Sequence, residues 1–263
     1  NLGHKVREFY QSETGVLVLT GDGSKFPGDV LVGCDGIHSA IREHLFGPDA
    51  PRFTGCVAWR TTVPVDTLPP GHVRPVASNW IGQGGHFVHY YVRRGELVNC
   101  VGVMERDAWQ AESWSSVGAV PEFLNDFAGW HEDLQILMHA AKTCFQWGLF
   151  DRDPMPQWSD GRVTLLGDAC HPMLPFMAQG AVMAIEDAYT LAQCLAASED
   201  NPTGALLRYE ALRKERTTAV QKMSRDNIQF FHHADIPNLG ARMSGHREAH
   251  RWLYSFDVTN QAF

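Results

Sequence analysis

The chain has 263 residues, 44% of them hydrophobic, which is enough for a sizeable core in one large domain or two smaller ones. A formal net charge of -8 argues against nucleic acid and anionic membranes as partners, because both attract clustered Lys and Arg. No apolar run is long enough for a transmembrane helix and the first residues have no signal-peptide core, so we expect a cytoplasmic protein. Six scattered cysteines form neither a zinc pattern nor a disulfide framework, and no metal site is predicted.

The first fifty residues predict short strands and then a helix. A β-rich run at residues 16–19 is followed by a turn at residues 20–23 and a second predicted strand at residues 29–32. The sequence Cys34-Asp35-Gly36-Ile37-His38-Ser39 comes next. Ser39 or His38 is expected to cap a short helix that ends before Gly47.

From residue 52 to about residue 103 the pattern becomes that of a sheet. Predicted strands at residues 57–63, 87–92 and 97–103, with turns at residues 82–85 and 93–96, indicate a small antiparallel sheet. Helical spacing returns between residues 120 and 141, with Pro121 near the first turn.

A short apolar strand at residues 163–166 precedes the most informative segment, which begins at Gly167-Asp168. A proline-containing loop and a helix follow, and apolar Val182, Ile185 and Tyr189 keep a near-3.6-residue spacing in that helix. A strand, a Gly-Asp turn and a helix N-terminus can place a carboxylate on a sugar hydroxyl and N–H groups on an anionic ring. A flavin nucleotide requires both contacts.

The remainder of the chain is predicted to be helical. A helix opens near Asn201 and Pro202, a break is predicted at residues 237–240, and a short tail helix is expected between residues 243 and 263. The charged residues of the first of these helices are interpreted as a solvent-exposed face. They are Arg208, Arg213, Lys214, Glu215 and Arg216.

Two motifs in this order resemble the single-component, FAD-dependent aromatic hydroxylases of the para-hydroxybenzoate hydroxylase type. One is the Asp-Gly motif at residues 34–39 with Arg42, and the other is the Gly-Asp motif from Gly167 through Pro175, Gly180 and Glu186 to Asp187. The resemblance runs from about residue 15 to about residue 234. It implies an α/β (α+β mixed) fold, with a partial three-layer FAD/NAD(P)-binding domain, an inserted, mostly antiparallel substrate domain and C-terminal helices.

The resemblance also implies a division into segments with separate roles. Residues 1–51 and 159–232 are expected to belong to the FAD-binding domain, residues 52–158 to the substrate-binding sheet domain, and residues 233–263 to a helical tail. A homodimer is left open beside a monomer.

By this resemblance, Asp168 in the Gly167 turn accepts a hydrogen bond from a ribityl or ribose hydroxyl of FAD, and Pro175 braces the loop against the flavin. The backbone of Gly180 and Ala181 begins the helix whose positive end faces the N1/O2 edge of the flavin.

Asp35 with Arg42 resembles a pair that joins strand, helix and pyrophosphate region. A purely structural helix cap and salt bridge remains an equal alternative for these two residues.

Substrate contacts are expected on the predicted strand that begins near residue 86. His86 and Tyr90 share a face by strand alternation, although His86 could instead cap the preceding turn and Tyr90 could pack in the core. A resemblance to 3-hydroxybenzoate 6-hydroxylase, 6-hydroxynicotinate 3-monooxygenase and salicylate hydroxylase implies that both line the ring pocket and that Gln179 reaches the substrate. His86 is then the base that removes a phenolic proton. Phe176 replaces a histidine expected in the hydroxynicotinate enzymes, which favours hydroxybenzoates.

The implied activity is hydroxylation of a small hydroxylated aromatic acid by FAD, NADH or NADPH, and O2. The G-x-G-x-x-G motif of such enzymes does not occur in these 263 residues, and Gly82-Gln83-Gly84-Gly85 opens no predicted helix. We therefore expect the C-terminal two-thirds of a hydroxylase, which holds FAD weakly or not at all by itself. The alternatives are a non-catalytic remnant or scaffold, and a flavin enzyme with epoxidising or halogenating chemistry.

Overall fold

The computed structural model describes residues 1–109, 116–198, 200–232, 248 and 250–263. These residues fall into two compact units. The first comprises Asn1–Arg52, Asp151–Asn227 and the described residues from 248 onward, and the second comprises Phe53–Phe150 and residues 228–232. No helix in the described part of the chain is both long and apolar enough to cross a bilayer. The predicted break at residues 237–240 lies outside the described residues.

The strands, in chain order, are β1 (Val6–Gln11), β2 (Val16–Thr20), β3 (Lys25–Gly28), β4 (Leu31–Gly33), β5 (Arg52–Pro64), β6 (Ser78–Gly82), β7 (Gly85–Val92), β8 (Leu97–Glu105), β9 (Val117–Gly118), β10 (Cys144–Asp151), β11 (Ser159–Asp160) and β12 (Val163–Leu165). The helices are α1 (Ala40–Phe46), α2 (Val120–Asp126), α3 (Glu132–His139), α4 (Gly180–Ala197) and α5 (Pro202–His232). The expected mixture of α and β structure is confirmed.

Two small sheets belong to the first unit. One is antiparallel and has the order β1-β2-β3, and the other has the order β11-β12-β4, with β12 parallel to β4. The partner of β2 differs from the prediction, because β2 pairs with β3 and not with a strand at residues 29–32. The strand β3 was not predicted because it contains Pro27, and proline cannot donate a ladder hydrogen bond. Proline is tolerated here because β3 is an edge strand.

The second unit is built on a six-stranded sheet with the order β6-β7-β8-β5-β10-β9. The pairing of β7 with β6 and β8, and of β8 with β5, is antiparallel as predicted. Helices α2 and α3 replace the single helical stretch expected from residue 120 to residue 141, and Gly129, with a φ of +80°, lies between them. Their apolar side chains, including Phe123 and Leu134, share one core with Trp59 and Phe87 of the sheet.

The buried faces of α4 and α5 are not the ones that the sequence indicated. Val182 and Ile185 of α4 are 41% and 69% exposed, whereas Glu186 and Asp187 are buried. On α5, Arg213 is fully buried, so its assignment to an exposed face was wrong. Arg216 of the same helix is also buried. Buried charges persist where they are paired, and the partners of these charges lie on the neighbouring helix.

Candidate functional site

The Asp-Gly and Gly-Asp motifs lie next to each other in the first unit. Asp35 follows β4 and Asp168 follows β12, and these two strands are parallel neighbours. Arg42 links the motifs, because its Nη1 donates to the carbonyl oxygen of Ala169 at 3.0 Å. Open α/β sheets bind ligands at the carboxyl ends of their parallel strands, so this edge is the candidate cofactor site.

Asp168 lies in a 3-10 turn formed by Gly167–Ala169. Gly167 has a φ of +64°, and a Cβ there would lie 3.1 Å from the Cβ of Ala184, so this turn favours glycine. The Asp168 side chain is exposed, yet desolvation by neighbouring protein atoms raises the pKa of its carboxyl, while the interaction with His171 lowers it. Within the described residues nothing donates a hydrogen bond to this carboxylate. A partly desolvated acceptor of this kind suits a hydroxyl group of a ligand.

The N-terminus of α4 lies beside this carboxylate. A Cβ on Gly180 would be 3.7 Å from Asp168 Oδ1. The N-cap residue, Gln179, provides no side-chain cap, and the first turn contains no acidic residue. The first N–H groups of the helix, among them those of Gly180 and Ala181, therefore have no intrahelical acceptor, and the helix dipole favours negative charge there.

The loop before α4 has a constrained backbone. Pro175 opens a 3-10 turn, Pro175–Met177, and Ala178 follows in the left-handed region with φ 52° and ψ 35°. Gln179 is 4% exposed, and its Nε2 donates to the Met177 carbonyl oxygen at 3.4 Å. The predicted substrate contact Gln179 is thus adjacent in sequence to the predicted flavin contact Gly180.

Asp35 organises the start of α1. Its Oδ1 accepts from Ser39 Oγ at 2.5 Å, and its Oδ2 accepts from the Ile41 N–H at 3.2 Å. Ser39 is the N-cap and accepts from the Arg42 N–H at 2.9 Å, which confirms the predicted cap. Arg42 is buried and uses its guanidinium on main-chain carbonyls, and it forms no ion pair with Asp35. Of the two structural roles that were the alternative for Asp35 and Arg42, the helix cap is present and the salt bridge between them is not. A direct contact with FAD stays a prediction.

A buried charge network lies behind the Gly-Asp motif. Asp187 on α4 accepts from His171 Nε2 at 2.5 Å, from Arg213 Nε at 2.8 Å and from the Gly167 N–H at 3.2 Å. Burial by itself raises the pKa of the Asp187 carboxyl, but the contacts with His171 and Arg213 outweigh it and hold the pKa below its ordinary value. The network fixes the end of β12 to α4 and α5.

Glu186, which belongs to the Gly-Asp motif, extends this network, although its ion pairs were not predicted from the sequence. It accepts from Arg213 Nη2 at 2.7 Å and from Arg216 Nε at 2.8 Å. The sequence signal for these ion pairs was the presence of two adjacent carboxylates in one helix and of two arginines, three residues apart, in the next helix.

Cys170, His171 and Asp187 are buried with potential ligand atoms within 4.8 Å of one another. The Asp187 carboxylate is already shared by His171 and by the Arg213 guanidinium, which neutralises its charge. The arrangement is that of an ion-pair network, and the expectation of no metal stays a prediction.

The predicted substrate residues are divided between the units. His86 and Tyr90 lie on β7 in the second unit, and Gln179 lies in the first. His86 is 3% exposed, and burial together with the charge of nearby His232 lowers its pKa to about 3. Tyr90 is 39% exposed, so the alternative that placed it in the core was wrong.

The residues at the first unit's edge fit FAD on chemical grounds. An acceptor carboxylate for sugar hydroxyls, at Asp168, lies next to helix N–H groups that suit an anionic ring edge, at Gly180. A family model described as an FAD binding domain matches residues 135–224.

Several known proteins similar to this chain are named as aromatic monooxygenases or hydroxylases. The chain is 42% identical over 249 residues to 3-amino-4-hydroxybenzoate 2-monooxygenase of Streptomyces platensis, covering 93% of the chain and 63% of that relative. It is 33% identical over 264 residues to 3-hydroxybenzoate 6-hydroxylase 2 of Aquipseudomonas alcaligenes, covering 97% of the chain and 82% of that relative. A solved salicylate hydroxylase substrate complex matches with a TM-score of 0.86 and 29% identity, covering 98% of the chain and 69% of that structure.

The chain thus spans 63% of the length of the Streptomyces platensis relative. The similarity to named monooxygenases does not favour a non-catalytic remnant. The chain belongs to the FAD-dependent aromatic hydroxylases of the para-hydroxybenzoate hydroxylase type, the family that its two motifs predicted.

Proposed function

We propose that this protein is a flavin-dependent monooxygenase that hydroxylates a small hydroxylated aromatic acid with NADH or NADPH and O2. The observation that carries the proposal is the Asp168 carboxylate, which has no described donor and adjoins the uncapped start of α4. When bound, FAD would supply the redox chemistry, with electrons from the nicotinamide and one oxygen atom of O2 for the substrate, the other atom leaving as water.

The cofactor is held by the residues at the strand edge. Asp168 accepts a hydrogen bond from a sugar hydroxyl, and the N–H groups of Gly180 and Ala181 stabilise negative charge on the flavin ring. Pro175 keeps the loop in place beside the ring. Asp35 and Arg42 hold the Asp-Gly motif next to the Gly-Asp motif through their hydrogen bonds.

His86 prepares the substrate for electrophilic attack. Its depressed pKa keeps the imidazole neutral near pH 7, so one ring nitrogen can accept a phenolic proton. The resulting phenolate is a more electron-rich ring. Tyr90 and Gln179 contact the substrate, and Phe176 favours hydroxybenzoates over hydroxynicotinate. The name of the Streptomyces platensis relative adds aminohydroxybenzoates to the candidate substrates.

The segments divide this work. Residues 1–51 and 159–232 form the flavin-binding part, residues 52–158 form the substrate-binding part, and residues 233–263 form the tail. We place the protein in the cytoplasm, without nucleic-acid or membrane partners, and a homodimer stays open beside a monomer as its assembly. Sedimentation at several protein concentrations distinguishes the dimer from a monomer.

Replacement of Asp168 tests the cofactor site. In the full-length protein, Asp168→Ala is expected to weaken FAD binding by about tenfold or more, because it removes a hydrogen bond with a charged acceptor. Fluorescence quenching during FAD titration measures the affinity. Glu215→Ala, an exposed carboxylate on α5, is the matched control and is expected to bind FAD like the wild type. Equal affinities for Asp168→Ala and the control would contradict the assignment.

A substrate panel tests the reaction. Full-length protein is incubated with 3-hydroxybenzoate, 3-amino-4-hydroxybenzoate and 6-hydroxynicotinate, and NADH or NADPH oxidation is measured together with the hydroxylated product. His86→Ala is expected to lower the hydroxylation rate by about a hundredfold, within the range of general-base catalysis. His89→Gln, another buried histidine of β7, is the control. An unchanged rate and unchanged coupling in His86→Ala would remove His86 from the reaction.

A further inference from the structure

Three side chains of the second unit form a continuous path from His86 towards solvent. His86 Nδ1 lies 2.8 Å from His232 Nε2, and His232 Nδ1 lies 3.1 Å from Glu105 Oε1. The His232 side chain is fully buried, whereas that of Glu105 is 40% exposed. The path therefore begins at a buried ring on β7, crosses the last residue of α5, and ends at an accessible carboxylate on β8.

The main chain holds these elements together. The Gly84 N–H donates to the His232 carbonyl oxygen at 2.9 Å, and the Gly84 carbonyl oxygen accepts from the Glu105 N–H at 2.9 Å. The Phe231 ring packs against the His86 ring with their centroids 4.8 Å apart. One turn of backbone between β6 and β7 thus fixes the end of α5 and the end of β8 relative to His86.

The partners of the two rings favour one arrangement of the ring protons when His232 is neutral. A carboxylate only accepts, so His232 Nδ1 carries the proton that it donates to Glu105. In a neutral His232 the other nitrogen, Nε2, is then an acceptor, and it accepts from a protonated His86 Nδ1. Neutral His86 consequently has its lone pair on Nε2, where a base needs it. A doubly protonated His232 would reverse this assignment and leave a proton on His86 Nε2.

We propose that His232 and Glu105 are positioning residues that hold His86 as its Nδ1–H tautomer and relay the phenolic proton to solvent. This inference rests on the proposed function. The phenol O–H bond breaks as a His86 Nε2–H bond forms, and the Nδ1 proton of His86 passes to His232 Nε2. The Nδ1 proton of His232 passes to the Glu105 carboxylate, which releases it to water. Burial lowers the pKa of the His86 imidazole, which makes a proton held there unfavourable, and the relay avoids holding it.

Imidazole nitrogen shifts test the tautomers without any substrate or turnover. Full-length protein with ¹⁵N-labelled histidine is measured by NMR, and the His86 and His232 signals are identified by their loss in His86→Gln and His232→Gln. We expect a protonated Nδ1 and an unprotonated Nε2 on both rings. Glu105→Gln keeps an accepting oxygen and retains this pattern, whereas Glu105→Ala gives a mixture of tautomers at His232. A proton on His86 Nε2 in the wild type overturns the proposal.

Single-turnover hydroxylation of the best substrate of the panel tests the relay itself. Glu105→Gln preserves the hydrogen bond but cannot take up the proton, so its single-turnover hydroxylation rate is expected to fall about tenfold with an unchanged dissociation constant for the substrate. His89→Gln, outside the path, serves as the control. A wild-type rate in Glu105→Gln overturns the relay. A wild-type rate in His86→Ala overturns the proposed role of His86 in the reaction, and the NMR result then shows separately whether the predicted tautomers exist.

Discussion

Replacement of Arg213 by methionine is expected to destabilise the first unit by several kcal/mol. The guanidinium is fully buried, with Nε 2.8 Å from Asp187 Oδ1 and Nη2 2.7 Å from Glu186 Oε2. Methionine occupies similar space but leaves two buried carboxylates without this cation. Removal of one partner of a buried ion pair costs about 3–5 kcal/mol, because the remaining charge stays away from water. Asp187 keeps His171 and Glu186 keeps Arg216, so we expect a loss at the lower end of this range, about 3 kcal/mol.

The loss is expected to depend on pH. The pKa of the Asp187 carboxyl is held below its ordinary value, so its stabilising contribution is complete above the unfolded-state pKa of about 4 and is lost as pH falls through the folded pKa. In Arg213→Met the folded pKa rises, and protonation of Asp187 relieves the unpaired charge. The difference in unfolding free energy between wild type and variant is therefore largest near neutral pH and shrinks as the carboxyl is protonated.

Urea unfolding followed by circular dichroism at about pH 7 and about pH 4 measures this difference. Arg208→Met, an exposed arginine of α5, is the matched control and is expected to change stability by less than about 0.5 kcal/mol. A loss below about 1 kcal/mol in Arg213→Met, smaller than breaking a buried pair requires, would refute the reasoning. An equal loss at both pH values would assign it to packing and not to charge.

Three further outcomes are expected. Arg94, with a φ of +57°, lies in the β7–β8 turn, and Arg94→Gly is expected to raise the thermal midpoint by relieving about 1 kcal/mol of left-handed strain; a lower midpoint would contradict this. Gly85→Ala is expected to lower the midpoint, because its Cβ would overlap the Met104 side chain, whereas a Cβ at Gly21 would make only an ordinary contact with the Lys5 carbonyl oxygen at 4.0 Å, so Gly21→Ala is expected to change the midpoint little. Because the pKa of His86 is lowered to about 3 in the folded protein, its contribution to the free energy of unfolding is complete above about pH 6.5 and is lost as the pH falls towards 3. His86→Gln is therefore expected to flatten the decrease of the free energy of urea unfolding between these pH values. An unchanged slope would exclude His86 protonation as its cause.

The local structure of the candidate cofactor edge was predictable because it is encoded in consecutive residues. A short strand, a Gly-Asp turn and a helix start are consecutive in the sequence, and the structure has β12, the turn at Gly167–Ala169 and α4 in that order. The cap at Ser39 was predictable for the same reason.

Burial of charge was not predictable, since it depends on partners that are distant in the chain. Arg213 is buried because Asp187 and Glu186 face it from α4, although nothing in the spacing of α5 distinguishes it from Arg208. Strand alternation likewise puts His86 and Tyr90 on one face, but it does not encode that one is 3% and the other 39% exposed.

The parallel pairing of β4 with β12 has a consequence for biosynthesis. Residues 34–162 separate the two strands, and β5 to β10, which include adjacent antiparallel neighbours such as β7 and β8, lie within that interval. Hairpins of this local kind form early, whereas closing a long chain segment into a parallel pair is slow. On the ribosome the six-stranded sheet can therefore fold before β4 has paired with β12, and the edge that brings Asp35 next to Asp168 is completed only after residue 168 has emerged.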